Sequence, residues 1–289
     1  MCSLFKAKDM GIDLGTANTL IFIKGSGIVL NEPSVIAVEN RDGKTLAVGH
    51  DAKAMLGKAP ASISVVRPLQ DGVISDFDRT ADMLKSFLET ALKVKRIRNF
   101  RVVVGVPSGV TEVEKRAVEE IVRQMGATEV FILEEPMAAA IGAGMPVDGT
   151  NGCMIADIGG GTTDVAIIAL GGVVTSTSIR HAGDKMNEAI IQYMRKRHAL
   201  LIGEHTAEAL KINIGCACMD EDENGNEIIQ TMSARGRDII SGLPKTLTVT
   251  NKDMMIALQE SLDIIVDAVK TTIEKAPPEI AADIAERGM

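Results

Sequence analysis

The sequence predicts an α/β protein of two lobes sharing one duplicated plan, and three observations carry that prediction. The first is a repeated turn. "GIDLGTANTLIFI" at 11–23 and "ADIGGGTTDVAII" at 156–168 have one layout, with Asp13 matching Asp157, Gly15 matching Gly159 and Thr19 matching Thr163, 144 positions apart. The second is an alternation of strand and helix patterns from residue 101 onward, which implies a largely parallel sheet. The third is size: 289 residues at 46% hydrophobic and 24% charged content suffice for two folded lobes and argue against disorder.

Taken in order, the first block reads as antiparallel strands: 11–24, then "GIVLNEPSVIAVE", then a turn at Gly43 leading to "TLAVG". From Asp78, the apolar Met83, Leu84, Phe87, Leu88, Ala91 and Leu92 fall on one helix face. "RVVVGVP" at 101–107 is a continuous β-branched run of the kind buried on both sides of a sheet. Thr111-Glu112-Val113-Glu114 has capping-box form and opens a helix to about Met125. "TEVFILEEP" repeats the rhythm, with Pro136 suited to the first turn of the next helix. Beyond the second glycine turn, helices are expected near 185–198 and 205–214, a solvated acidic loop at 220–227, and a long helix from about Asp253 to Lys275, stopped by Pro277-Pro278 with a short helical piece behind it.

A net charge of −8 with 2% aromatic residues argues against a nucleic-acid surface and favours small ligands or protein partners. The four cysteines Cys2, Cys153, Cys216 and Cys218 follow no recognisable secretory pattern, so a reducing cytoplasm is expected. Cys216-Ala-Cys218 lacks two further ligands at zinc spacing, and small core or surface cysteines are the plainer reading. No apolar run approaches a membrane span.

Glycines let backbone amides approach an anion closely, and successive N–H groups in such a turn make a concavity for phosphate. A neighbouring aspartate is unfavourable there unless a cation lies between, so Asp13 and Asp157 are read as holding hydrated Mg2+. Either stretch alone reads better as a plain Asp/Gly hairpin; the matched pair reverses that and favours a clamp on a nucleoside triphosphate. No Gly-x-x-x-x-Gly-Lys-Ser/Thr stretch is present, and 156–168 does not open directly into a dinucleotide-type helix.

These residues, with "GIVLNEPSVIAV", "RPLQDGVISDF", "EEPMAAAIGAGMPV", "AGDKMNEAII", "TAEALKINIG", "RGRDIISGLPKTLTVT" and "PPEIAADIAERG", resemble the MreB/Mbl family of bacterial actin homologues along essentially the whole chain. The resemblance implies an actin-like, ribonuclease H-like duplicated two-lobe ATPase fold that binds ATP and Mg2+. Its first lobe would have an inner subdomain at 1–32 and 68–148 and an outer one at 33–67, and its second lobe an inner subdomain at 149–183 and 246–289 and an outer one at 184–245. It further implies a homopolymeric filament, with paired protofilaments, on the inner face of the cytoplasmic membrane. Membrane-spanning cell-elongation proteins would be its partners, wall synthesis and rod shape its business, and nucleic acid no part of it.

Carried over by motif, Asp13, Gly15, Thr16, Ala17 and Asn18 resemble the first phosphate turn, and Asp157, Gly159, Gly160, Gly161 and Thr162 the second. Glu135 corresponds to the water-activating glutamate, with Thr162 assisting and Asp157 at the cation; on its residues alone Glu135 reads as a helix-entry acid. Gly183 and Asp184 resemble nucleoside contacts, while Glu208 and Lys211 either border ribose and adenine or form a solvated i,i+3 ion pair. "KVKRIRNFR" at 93–101 matches a membrane-inserting loop, with Ile97 and Phe100 as the apolar residues and Leu4 and Phe5 as a possible supplement; an ordinary basic loop is the alternative. The family pattern continues past Glu286-Arg287-Gly288 with a further strand, a glycine-rich turn and a final helix, so an incomplete second inner sheet is expected, and a non-polymerising paralogue or fragment with impaired nucleotide binding is the runner-up. Asn187 also stands where the family commonly has an acid. A sugar kinase would need a catalytic base and sugar-binding groups for which no separate stretch is found, and a chaperone-type ATPase would need a longer chain.

Overall fold

The first glycine-bearing stretch folds as two antiparallel strands, β1 (Lys8–Leu14) and β2 (Asn18–Ile23), which place Asp13 opposite Leu20 and Leu14 opposite Thr19. The computed structural model describes residues 8–94 and 99–289. Two compact units are formed, one from the chain up to Arg180 together with Val269–Met289, the other from His181–Ala268.

In the first unit, β3 (Gly27–Pro33) pairs antiparallel with β2. A small sheet of order β5-β4-β6 follows, built from β4 (Ile36–Glu39), β5 (Thr45–Val48) and β6 (Ile63–Val66) with the short α1 (Gly49–Lys53). It encloses its own core of Val35, Ala37 and Ala52. A tight ribbon of β7 (Leu69–Gln70) and β8 (Val73–Ile74) turns through Asp71 and Gly72, both left-handed at φ 50° and 76°. Next come α2 (Phe77–Leu92), β9 (Phe100–Val106), α3 (Glu112–Gln124), β10 (Ala127–Glu134) and α4 (Glu135–Gly142). Asp76 caps α2 by accepting from the Arg79 N–H, and α3 opens with the capping box of Thr111 and Glu114.

The larger sheet has the order β10-β9-β1-β2-β3. Only β1–β9 and β9–β10 are parallel, which corrects the expectation of a largely parallel sheet. The turns joining β1, β2 and β3 are too short for crossovers, so those strands are antiparallel. The second glycine stretch forms β11 (Cys153–Ile158) and β12 (Thr163–Ala169), which pair antiparallel with β13 (Gly172–Ile179) in a three-stranded sheet.

Helices α2 and α3 cover one face of the five-stranded sheet, where Met83, Leu84, Phe87, Leu88, Ile121 and Val122 pack on Ile12, Ile21, Val102 and Val104. The run at 101–107 is therefore buried on one side only: Val102, Val104 and Val106 point inward while Val103 is exposed. On that outer face, Phe131, Val103, Gly11, Phe22 and Ile28 stand in one cross-strand row, and its four large apolar members are exposed.

The membrane reading of Phe100 is also corrected. Phe100 opens β9 and is 1% exposed inside the main core, because its position alternates with Arg101 on the helix-covered face. Ile97, like Leu4 and Phe5, lies outside the described residues.

The second unit holds α5 (Gly183–His198), β14 (Leu200–Leu201), α6 (Glu204–Ile214), β15 (Thr231–Asp238), β16 (Pro244–Thr250) and most of α7 (Asn251–Glu274). Its sheet runs β14-β15-β16, and Ile190, Met194, Leu210, Ala234, Val249 and Met254 form its core. The acidic stretch at 220–227 is an exposed turn with Gly225 at φ 78°. Back in the first unit, α8 (Pro278–Arg287) packs by β11, with Asp283 accepting from the Gly152 N–H at 2.8 Å. Among the described residues no helix is long and apolar enough to cross a membrane.

Deleting a large buried ring leaves a cavity that the surrounding strands only partly fill. Phe100→Ala is expected to lower the unfolding free energy by about 3–5 kcal/mol, read as a lower urea midpoint at unchanged m-value. An undiminished midpoint would contradict its placement in the core.

Candidate functional site

The two glycine turns meet through their backbones. A Cβ on Gly160 would stand 2.6 Å from the Ala17 Cβ, and one on Gly161 would stand 2.6 Å from Thr16 Oγ1 and 2.9 Å from Asp71 Cα. Side chains at either position would force the turns apart. Ser34 braces the first turn: its Oγ donates to the Gly15 carbonyl at 2.6 Å, its N–H donates to the Ala17 carbonyl at 3.0 Å, and its hydroxyl meets Thr19 Oγ1 at 2.9 Å. The second turn closes on itself, with the Gly159 N–H donating to the Thr162 carbonyl at 2.9 Å. The β7–β8 ribbon joins both, since the Gly72 N–H donates to Thr16 Oγ1 at 2.9 Å and Gly72 packs closely on Thr162 and Pro107.

Four carboxylates surround this contact. Burial pushes Glu135 up to about 8, with Asp13, Asp164 and Asp157 adding repulsion in that order. Burial, then Asp157, raises Asp13 to about 6. Asp13 keeps solvent contact, so its desolvation is that of a recess rather than of a sealed core. Asp157 is raised by burial and then by Asp164, which stands directly opposite it in the β11–β12 register. Asp164 is 1% exposed; burial raises it, against hydrogen bonds from the Ser108 backbone and the Ser178 and Thr162 side chains that lower it.

The sequence-predicted Asp13, Gly15, Thr16, Ala17, Asn18, Glu135, Asp157, Gly159, Gly160, Gly161 and Thr162 all belong to the first unit, in and around the two turns. The Gly105 position packs against the Glu135 side chain, which ties that carboxyl to β9. Sequence reasoning missed Ser108, Asp164 and Asp71. The available signal was "VPSG" after a strand and "QDG" between two short apolar pairs, both turn patterns without chemistry of their own.

Gly183, Asp184, Glu208 and Lys211 belong to the second unit, where Lys211 Nζ donates to the Gly183 carbonyl at 2.8 Å. That bond ties the predicted nucleoside residues of α5 and α6 together. Asn187, one turn into α5, is buried with its Oδ1 unbonded.

The residues around the turns fit a phosphate with a hydrated cation. The glycine contacts leave a cradle that a Cβ would fill, and the clustered acids push one another's pKa values up. Among the described residues no three His, Cys, Asp or Glu side chains form a direct ligand group.

A strand-turn-strand plan repeated in two sheets, with the two turns touching through glycine, is an actin-like fold. The family model described as MreB/Mbl protein matches residues 7–289. The cell shape-determining protein MreB of Escherichia coli K12 is 50% identical over 288 residues, covering 98% of this chain and 81% of that protein. Mbl of Bacillus subtilis, also a cell shape-determining protein, is 49% identical over 98% of this chain and 83% of its own length. The crystal structure of MreB 5 of Spiroplasma citri bound to AMPPNP superposes with TM-score 0.92 at 39% identity, covering 99% of this chain and 84% of that one, and its ADP-bound form superposes with TM-score 0.90. The chain belongs to the MreB/Mbl family.

Two predictions follow from the charge and the contact. Because Glu135 is raised from about 4.5 to about 8, the folded chain holds a proton that the unfolded chain has lost, and stability falls as pH rises through that window. Glu135→Gln should flatten this dependence and stabilise the nucleotide-free chain at pH 8 by roughly 1–3 kcal/mol, allowing for residual water contact. Thermal melts at pH 5 and pH 8 decide it, and an equal pH slope in both proteins would contradict it. Gly160→Ala should instead part the turns, weakening Mg-ATP binding by about tenfold or more in calorimetry while the fold is kept.

Proposed function

We propose that the chain binds ATP with Mg2+ at the paired turns, hydrolyses it, and polymerises into membrane-associated filaments that organise wall synthesis and rod shape. The observation that carries the reading is the close contact of Gly160 and Gly161 in the second turn with Ala17 and Thr16 in the first, beside clustered acids, in a family with a relative seen bound to AMPPNP and to ADP. Backbone amides at 15–18 and 160–162 would face phosphate oxygens, and Asp13 and Asp157 would hold the cation through water. Gly183 and Asp184, with Glu208 and Lys211, take the nucleoside side.

Mg-ATP would supply the electrophilic phosphorus, and its Mg2+ the local positive charge facing the acids. Burial and the neighbouring acids push Glu135 up to about 8 in the ligand-free chain, and a cation placed among those acids would offset their repulsion and favour its ionised form. The ionised carboxylate then orients a water and takes its proton, with the Thr162 hydroxyl as second partner. Gly105 leaves the Glu135 side chain room to pack against β9, which limits its freedom.

Filament formation is supported by the actin-like fold and by the cell-shape names of the relatives. The inner and outer subdomains are read as in the sequence, with the small β5-β4-β6 sheet as the outer part of the first lobe. Localisation at the inner face of the cytoplasmic membrane, through the basic 93–101 segment around Ile97 and together with membrane-spanning elongation proteins, completes the proposal.

Calorimetry with Mg-ATP, followed by sedimentation with and without nucleotide, tests it. The parent chain should bind, Asp157→Ala should lose about a hundredfold or more in affinity, and pelleting should depend on nucleotide. A folded parent chain that neither binds nor pellets would overturn the reading.

A further inference from the structure

Ser108 links two acids that belong to different parts of the site. Its N–H donates to Asp164 Oδ1 at 2.9 Å, and its hydroxyl donates to Glu134 Oε2 at 2.9 Å. Glu134 precedes Glu135 and caps the start of α4. Asp164 lies two residues after Thr162, on the same face of the extended chain, with Asp157 opposite it on β11 and Ser178 opposite it on β13. Both carboxylates serve as acceptors here, and Ser108 supplies a separate donor to each.

We infer that Asp164–Ser108–Glu134 is a positioning bridge, which sets the distance between the Glu135 carboxylate on α4 and the Thr162 hydroxyl of the second turn. Each arm is a part-buried hydrogen bond to a carboxylate oxygen, stronger than one between neutral groups. Each arm also ends beside one member of the water-orienting pair rather than on it. The bridge is anchored by position as well as by bonding: Gly72 packs on both Pro107 and Thr162, and Gly109 leaves room for Ser178 alone, so the 107–109 segment has little freedom to drift. The effect of Ser108, Asp164 and Glu134 passes through Thr162 and Glu135.

The inference rests on the hydrolysis reading for its consequence, but not for its geometry, and the experiment separates the two. Amide hydrogen exchange of the loop at 107–111 in the full chain reads the bridge directly. Asp164→Asn should speed exchange there by about tenfold and Ser108→Ala by about threefold, while Ser108→Thr, which keeps both donors, should match the parent. In single-turnover hydrolysis, Ser108→Ala and Asp164→Asn should each lower the rate by about tenfold with Mg-ATP affinity changed less than about twofold. The double variant should lose no more than the worse single one, because one bridge broken twice is still one bridge. Unchanged exchange in Ser108→Ala and Asp164→Asn, or a rate loss matched by an equal affinity loss, would overturn the bridge. Should the parent fail to hydrolyse ATP, the hydrolysis reading falls while the exchange result still decides whether Ser108 is clamped at both ends. Ser108→Ala is mild enough to keep the test open even if Asp164→Asn does not fold.

Discussion

Two lengths of backbone, one near residue 16 and the other near residue 160, approach until no Cβ fits between them. At Gly160 the neighbour is the Ala17 methyl, and at Gly161 it is Thr16 and the Asp71 backbone. Much else is arranged around that contact. Ser34 is buried because the first turn needs its carbonyls tied down, and Asp71 accepts a left-handed conformation because the β7–β8 ribbon must turn tightly where it meets the second turn. The strands on either side supply the stiffness: β1–β2 and β11–β12 are both antiparallel pairs with tight registers, so a turn cannot retreat without shearing a ladder.

The charge around the contact is costly to the ligand-free fold. Asp157 and Asp164 face one another across two strands, a placement that would repel if both were fully ionised, and Glu135 is added to the same recess. Such strain persists where the surrounding structure over-determines it, and here the determinants are concrete: α3 starts from a capping box, α2 and α3 bury Phe87, Leu88 and Ile121 on the sheet, and Ser108 donates to two of the neighbouring acids. Stability gained in the core is thus set against charge gathered at the turns.

The turns were legible because their residue types are rare in combination and the pattern occurs twice; Gly159 to Gly161 beside Asp157 has few structural uses. The helices were legible from period and punctuation, as at Thr111 to Glu114 and at Pro277-Pro278. Strand burial was less so. "RVVVGVP" reads as doubly buried because all its residues are apolar, yet helices cover one face only and Val103 remains exposed. Phe100 misled for the converse reason: a ring beside cations looks like a membrane contact until the parallel pairing with β1 brings it under α2. The Asp164–Ser108–Glu134 bridge had no sequence signal, since its partners lie 56 and 26 positions apart and Ser is ordinary in a turn. The hairpin of β15 and β16 went unassigned in the sequence because its apolar positions are sparse, with burial falling chiefly on Ala234 and Val249.

The distance along the chain between the touching turns also bears on how the molecule is made. Asp13 and Thr16 leave the ribosome long before Gly160 and Asp164, and at about 5–20 residues per second the interval is roughly 7–30 s. During that time β1 and β2 can pair with each other, but β1 still lacks β9, and Thr16 has neither Gly72 nor the second turn beside it until those segments emerge. The recess that gathers the acids therefore takes shape only after the strands of the five-stranded sheet have emerged, and the repulsion among them is not felt until that sheet exists to hold it.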